Sequence, residues 1–341
     1  MIAPAPRGPL SALLLDTLTG PPPGRGGGPL PAPSAPEYDG TDALADEDLQ
    51  LALYLCYESH YSGLDGVDPE WEWEPSLIAF RRPLERALDR ALRAAVPEPE
   101  PVPPPAVPAA LARMAAEDPG SGLSAFVRRS ATAAQFREFV AHRSVYHLKE
   151  ADPHSWGIPR LSGRAKAALV EVQADEYGGG RPERMHAELF RTTMRALGVD
   201  DRPGAQLDRV PAITLAVNNA MSLFGLHRAR LAALLGHLAA FELTSSLPNR
   251  DYSAGLRRLG GGPDARRFYD EHVEADAVHE QIAAHDLCGT YASEHPEQVP
   301  DLLFGAAACL ELERVFGEHL LGRWRSGESS LRPETIATAT A

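Results

Sequence analysis

A chain of 341 residues is long enough to bury one large core or two modest ones. Its 33 basic and 47 acidic residues leave a formal charge of −14, which repels phosphate backbones and argues against nucleic acid as a partner. Cys56, Cys288 and Cys309 are too few and too irregular for disulfides or a thiolate metal site, no apolar run approaches the ~20 residues that span a bilayer, and residues 1–7 lack a secretory pattern, so a cytoplasmic protein without a membrane partner is expected.

In chain order, residues 1–40 contain PPPGRGGGPLPAPSAP, a composition too poor in apolar groups to offset the entropy of ordering. This stretch reads as a disordered tail, with 10–18 at most a transient helix. Residues 41–96 read as an N-terminal helical segment. It comprises a helix over 46–61, the aromatic stretch WEWEP with Trp71 and Trp73, and a second helix over 77–96. PEPEPVPPPAVP (97–108) reads as a stiff linker to the main domain, 109–330. There the periodicity predicts helices over 109–117, 123–149, 162–177, 182–197, 209–224, 226–246, 264–287 and 297–325. Residues 331–341 read as a frayed tail. No alternating apolar and polar run suggests a strand, so the fold class is all-α. Gly178–Gly180 lack the flanking strand and Lys-Ser/Thr of a phosphate loop and read as a kink between helices.

Four of these helices carry ionisable residues on stripes that are otherwise apolar. Leu169, Val172 and Glu176 share one face; His186 sits among Met185, Leu189, Phe190, Thr193 and Leu197; Glu242 follows Leu231, Leu234, Leu235 and Leu238. On another helix Phe268, His272, Asp276, His279 and Ile282 line up, the three ionisable members lying within about 60° of one another. Buried groups of this kind pair or bind metal. Three carboxylates and three neutral imidazoles suit two non-heme irons, with zinc or manganese as possible substitutes, and Glu150 is the candidate for a further carboxylate that brings the charge near neutrality.

A straight helix would set Glu176 and His186 about 80° apart, so the three glycines must break or bulge it for both to face one site. Glu183 competes with Glu176. With His186 it forms Glu-x-x-His, and Asp276 with His279 forms a related pair; two such pairs match the ferritin-like di-iron bundle. Its other reading is a first-turn carboxylate favoured by the helix dipole. A lone histidine is usually structural or solvated, and no role is assigned to His60, His142, His147, His154, His227, His237, His285, His295 or His319.

The segments HLKEADPHSWGIPRLSG (147–163), DEYGGGRPERMHAELF (175–190), GHLAAFELTSS (236–246) and HVEADAVHEQIAAHDL (272–287) together resemble the heme-oxygenase-like di-iron oxidases and oxygenases, also called iron-containing redox enzymes. The resemblance spans roughly residues 125–325. It implies a heme-oxygenase-like helical bundle that holds two irons instead of heme. The ligands it implies are Glu176, His186, Glu242, His272, Asp276 and His279, with Glu150 where some members supply an extra carboxylate.

By the same resemblance the expected activity is O₂ activation at a di-ferrous centre, with O₂ as co-substrate and an external electron donor. N-oxygenation of a small amine or amino acid in specialised metabolism is the leading expectation, because the ten-residue step from Glu176 to His186 resembles that of N-oxygenating members. Oxidative decarboxylation, desaturation or C–C cleavage of a fatty or amino acid is the alternative, and a non-catalytic ferritin-like iron-binding protein the alternative class. Arg228 and Arg230 are candidates for substrate contacts, with surface solvation as their ordinary role. A small-molecule substrate and a second copy of the chain are the partners considered.

Overall fold

The computed structural model describes residues 1–33 and 42–333, except the side chains of 274–277, and among the described residues every regular element is helical. The N-terminal elements are α1 (Pro9–Leu18), α2 (Glu47–Glu58) and α3 (Pro75–Ala95). The body follows with α4 (Val107–Glu117), α5 (Leu123–Arg129), α6 (Ala133–His147), α7 (Asp152–Ser155), α8 (Gly163–Glu176) and α9 (His186–Ala196). It continues with α10 (Ala212–Leu226), α11 (Leu231–Arg258), α12 (Pro263–Gln281), α13 (Thr290–Glu294) and α14 (Val299–Arg325).

Helices α11 and α14 form the central pair. A Cβ on Gly236 would lie 1.8 Å from the Leu302 carbonyl oxygen, and one on Gly305 would lie 2.0 Å from that of Ala233. Only glycine lets these backbones touch. Residues 228–258, contrary to the sequence expectation, are long and apolar enough to cross a membrane by length and composition alone. The place of α11 at the centre of the bundle, packed on α14, α12 and α5, accounts for that apolarity without one.

Several expected boundaries move for local reasons. The helix read over 123–149 is two, because Thr132 starts α6 with a capping box: its hydroxyl accepts from Gln135 N–H (3.2 Å), while its own N–H donates to the Gln135 side chain (2.9 Å). The helix read over 226–246 continues to Arg258 through Pro248. The helix read over 264–287 passes at Ile282 into a π-helix, Ile282–Gly289, which turns Ile282, Ala283, Leu287 and Cys288 into the core.

The N-terminal third departs most from its composition. Residues 1–33 do not form a disordered tail; Leu14, Leu18 and Leu30 are buried in the same core as the main helices. The Asp48 carboxylate accepts from the Leu10 and Ser11 N–H groups (2.7 and 2.8 Å), and Trp71, itself buried, donates its indole N–H to Gly20 O (3.0 Å). Residues 34–40 and 334–341 of the two expected tails lie outside the described residues. Nor do α2 and α3 form a separate unit behind the proline-rich stretch. Helix α2 packs on α10, while Glu85 and Asp89 of α3 meet His227 and Arg230 at 2.8 Å each. Those contacts give Arg230 a structural partner.

Candidate metal centre

Glu176 is the last residue of α8. Gly178, Gly179 and Gly180 follow at φ of 66°, 59° and 78°, left-handed conformations that glycine adopts without strain. A tight turn, Pro182–Arg184, then delivers His186 as the first residue of α9. The break required by the ten-residue spacing is therefore present, and it sets His186 Nδ1 2.8 Å from Glu176 Oε2. Glu183 is exposed on that turn, away from the cluster, so the position facing His186 belongs to Glu176.

Six buried side chains converge from five elements. The donor atoms of Glu150, Glu176, His186 and His272 lie within 4.8 Å of one another, and those of Glu176, Glu242 and His279 form a second such group. Glu176 belongs to both. One of its oxygens faces His186; the other is 4.0 Å from His279 Nδ1, which also lies 3.4 Å from Glu242 Oε2. Asp276 stands on α12 between His272 and His279, but its side chain lies outside the described residues.

Glu150 comes from the turn after α6. Its Oε1 accepts from His147 Nδ1 (2.8 Å) and lies 3.4 Å from His272 Nε2. His272 donates its Nδ1 proton to the Phe268 carbonyl (2.8 Å), one turn back on α12, which turns Nε2 toward the cluster. His279 is held similarly from outside, with Nε2 3.1 Å from Asp175 Oδ2. His147 and Asp175 were missed by the sequence reading. The His-x-x-Glu pair in HLKE was the available signal for His147; Asp175, beside Glu176, gave none.

Charge follows geometry. Burial drives the Glu150 carboxyl upward, but His147 and His272 overcome it and hold the group well below the usual carboxylate range. Burial lowers His279, yet the Glu242 carboxylate, aided by Glu176 and Asp175, raises it to about 9. Burial lowers His186 too, and Glu176 reverses the sign. Burial and the nearby carboxylates of Glu150, Glu176 and Glu242 push the Tyr146 hydroxyl far up.

The donor set fits a metal. Among the described residues Glu150 Oε2 is buried and makes no hydrogen bond, and Glu176 Oε2 and His186 Nδ1, also buried, have only each other at 2.8 Å. Such atoms are costly to bury unless a cation answers them. With imidazole and carboxylate donors and no thiolate, the set suits iron or manganese better than structural zinc.

The cluster lies at one side of a cavity of about 330 Å³, lined by Glu150, Glu176, Glu242 and His272 together with Tyr146, Phe241, Asn249, Tyr252 and Tyr269. Tyr146 and Phe241 stack with near-parallel rings, centroids 5.6 Å apart.

A family model described as iron-containing redox enzyme matches residues 137–314, more than half of the chain. The chain belongs to that family. The matched span contains every residue of the two donor groups. A nitrosourea synthase from Streptomyces achromogenes subsp. streptozoticus is 24% identical over 161 residues, which are 46% of this chain and 34% of that protein. The chain thus aligns with about a third of that relative's length. Two crystal structures of a CADD-like protein of unknown function from Nostoc punctiforme PCC 73102 are similar at 17% identity and a TM-score of 0.49, covering 62% and 64% of this chain and 94% of that one.

Proposed function

We propose that this member of the iron-containing redox enzymes is an O₂-dependent non-heme di-iron oxygenase that N-oxygenates a small amine or amino acid. The observation that carries the reading is the double membership of Glu176. Two groups of donors share one carboxylate, so each group could hold a cation with Glu176 common to both. The chain's side of the site would then be Glu150, His186 and His272 for one iron and Glu242 and His279 for the other, with Glu176 between them. Asp276, on the same helix face, is proposed as a seventh ligand.

When bound, the irons supply the redox chemistry that O₂ requires. The protein's residues prepare the rest. His272, fixed by the Phe268 carbonyl, presents Nε2 without rearrangement; His279, fixed by Asp175, presents Nδ1. The stacked Tyr146 and Phe241 form an apolar wall beside the carboxylates, which limits water at the reacting nitrogen. A cavity of about 330 Å³ suits a small molecule. The balanced reaction converts an amine, O₂, two electrons and two protons into a hydroxylamine and water. The electrons come from an external donor.

The choice of nitrogen as the oxidised atom rests on the relative named nitrosourea synthase, whose product by its name carries an oxidised nitrogen. The test is anaerobic titration with ferrous iron, then mixing with oxygenated buffer and candidate amines and acids, with visible absorbance followed from milliseconds to seconds. Two irons per chain, a transient absorbance and products one oxygen heavier are expected. Loss of carbon dioxide from the product would move the assignment to oxidative decarboxylation. Iron oxidation with no substrate consumed would move it to iron binding, and failure to hold two irons would undo the ligand assignment.

A further inference from the structure

The turn after α6 carries two successive charged residues that reach opposite ways. Glu150 faces His147 and His272. Lys149 faces α2, where its Nζ donates to Glu58 Oε2 at 2.9 Å and lies 4.5 and 4.6 Å from the ring centroids of Tyr54 and Tyr61. Both charged side chains are nearly sealed, 11% exposed for Lys149 and 4% for Glu58. The cage is itself fixed. The Tyr61 hydroxyl meets Ser222 Oγ of α10 at 3.2 Å, and Asn219 of α10 donates to the Gln50 carbonyl of α2 at 2.9 Å.

On the other side of Glu150 the turn is tied to α8, the helix that ends in Glu176. Gln173 donates to Ala151 O (2.6 Å) and the Tyr177 hydroxyl to Asp152 (2.7 Å). Within the turn, Lys149 N–H donates to Tyr146 O and Asp152 N–H to Lys149 O, each at 2.8 Å, and neither bond uses the N–H or C=O of Glu150 itself. Glu150 is thus suspended between an anchor on α8 and one on α2. Docking alone does not call for an ion pair here, since an apolar pair of similar volume packs a helix as well without the desolvation penalty. What an ion pair inside a tyrosine cage adds is a directional hold on one backbone position.

We propose that Lys149 and Glu58 are positioning residues for Glu150, so that the N-terminal helix α2, which supplies none of the donors in either group, sets the geometry of the donor group formed by Glu150, Glu176, His186 and His272. This rests on the reading of that group as a metal site. Glu58 lies 91 positions from Lys149 in the chain, which makes a change at Glu58 a remote probe of the site.

The test compares the full-length wild type with Glu58→Gln, Lys149→Met and, as reference, Glu150→Gln. Amide hydrogen exchange of the metal-free proteins reads the turn directly, and anaerobic equilibrium dialysis with ferrous iron reads the site. In Glu58→Gln, exchange over 148–151 should be at least 10-fold faster with α14 unchanged, and one of the two irons should bind at least 10-fold more weakly, as in Glu150→Gln, while the other is retained. Unchanged exchange over 148–151, or acceleration spread through the chain with both irons lost together, overturns the proposal in favour of plain docking. A wild type that holds two irons and a Glu58→Gln variant that holds the same two as tightly overturns this proposal alone. A wild type that takes up no iron overturns the functional reading and this one with it.

Discussion

At the residue scale, the site is decided as much by what stands behind the donors as by the donors themselves. His272 is backed by a main-chain carbonyl, which no substitution of one side chain removes. His279 is backed by Asp175, whose side chain is 50% exposed. Asp175→Asn should therefore weaken one of two bound irons by roughly 10- to 100-fold, the usual cost of losing such a partner, and leave unfolding by urea almost unchanged. Equal binding of both irons in a calorimetric titration would show that Asp175 does not orient His279. The candidate donors are legible in the sequence and their supports are not, for a geometric reason. Glu176, His186, Glu242, His272 and His279 each interrupt an apolar stripe, and a stripe is visible in one dimension. Asp175 is a step of about 100° off its stripe and meets His279 only because α8 ends there against α12.

At the element scale, the glycine break after α8 is the piece that turns two helices toward one point. Its three residues share left-handed φ but differ in surroundings. A Cβ at Gly178 would lie 2.6 Å from the Arg184 carbonyl carbon and the Met185 nitrogen, both backbone, whereas one at Gly179 would meet nothing within 4 Å. Gly179→Ala should then cost only the conformational penalty, about 1–2 kcal/mol. Gly178→Ala adds a backbone clash in the residues leading to His186; it should cost roughly 3 kcal/mol or more and impair iron uptake. Thermal unfolding and iron stoichiometry measured side by side check this; two alanine variants that behave alike would mean the turn does not set the position of His186. That some break must occur here was readable from the ten-residue spacing. Its form was not, since Pro182 reads equally well as the start of a helix or of the short turn it actually makes.

At the scale of the whole molecule, composition misled where a few contacts outweighed it. Residues 1–33 look disordered because glycine and proline dominate the average, yet three buried leucines and the Asp48 cap suffice once α2 and α3 offer a surface. The body of the fold was legible because helical periodicity is a property of each segment alone. The contacts that gather segments into one core also bury four histidines that no stripe or motif singles out. Burial, assisted by Arg81, lowers His60 to about 4, burial lowers His154 to about 4, and burial drives His142 and His237 far below the ordinary imidazole value. These groups stay neutral in the folded chain and take up protons near pH 6.5 only when it unfolds. Their contribution to stability is complete above about pH 6.5 and is lost as pH falls from there toward 4. His186 and His279, whose folded values are raised, lose their stabilising effect as pH rises above that point and add little to the slope below it. Each of the four should thus withdraw stability over that interval. The urea midpoint of the metal-free protein should fall steeply between pH 6.5 and pH 5, and His142→Asn should remove about one proton from that slope. A midpoint flat across this interval would mean that water reaches these rings and that the core is looser than their burial implies.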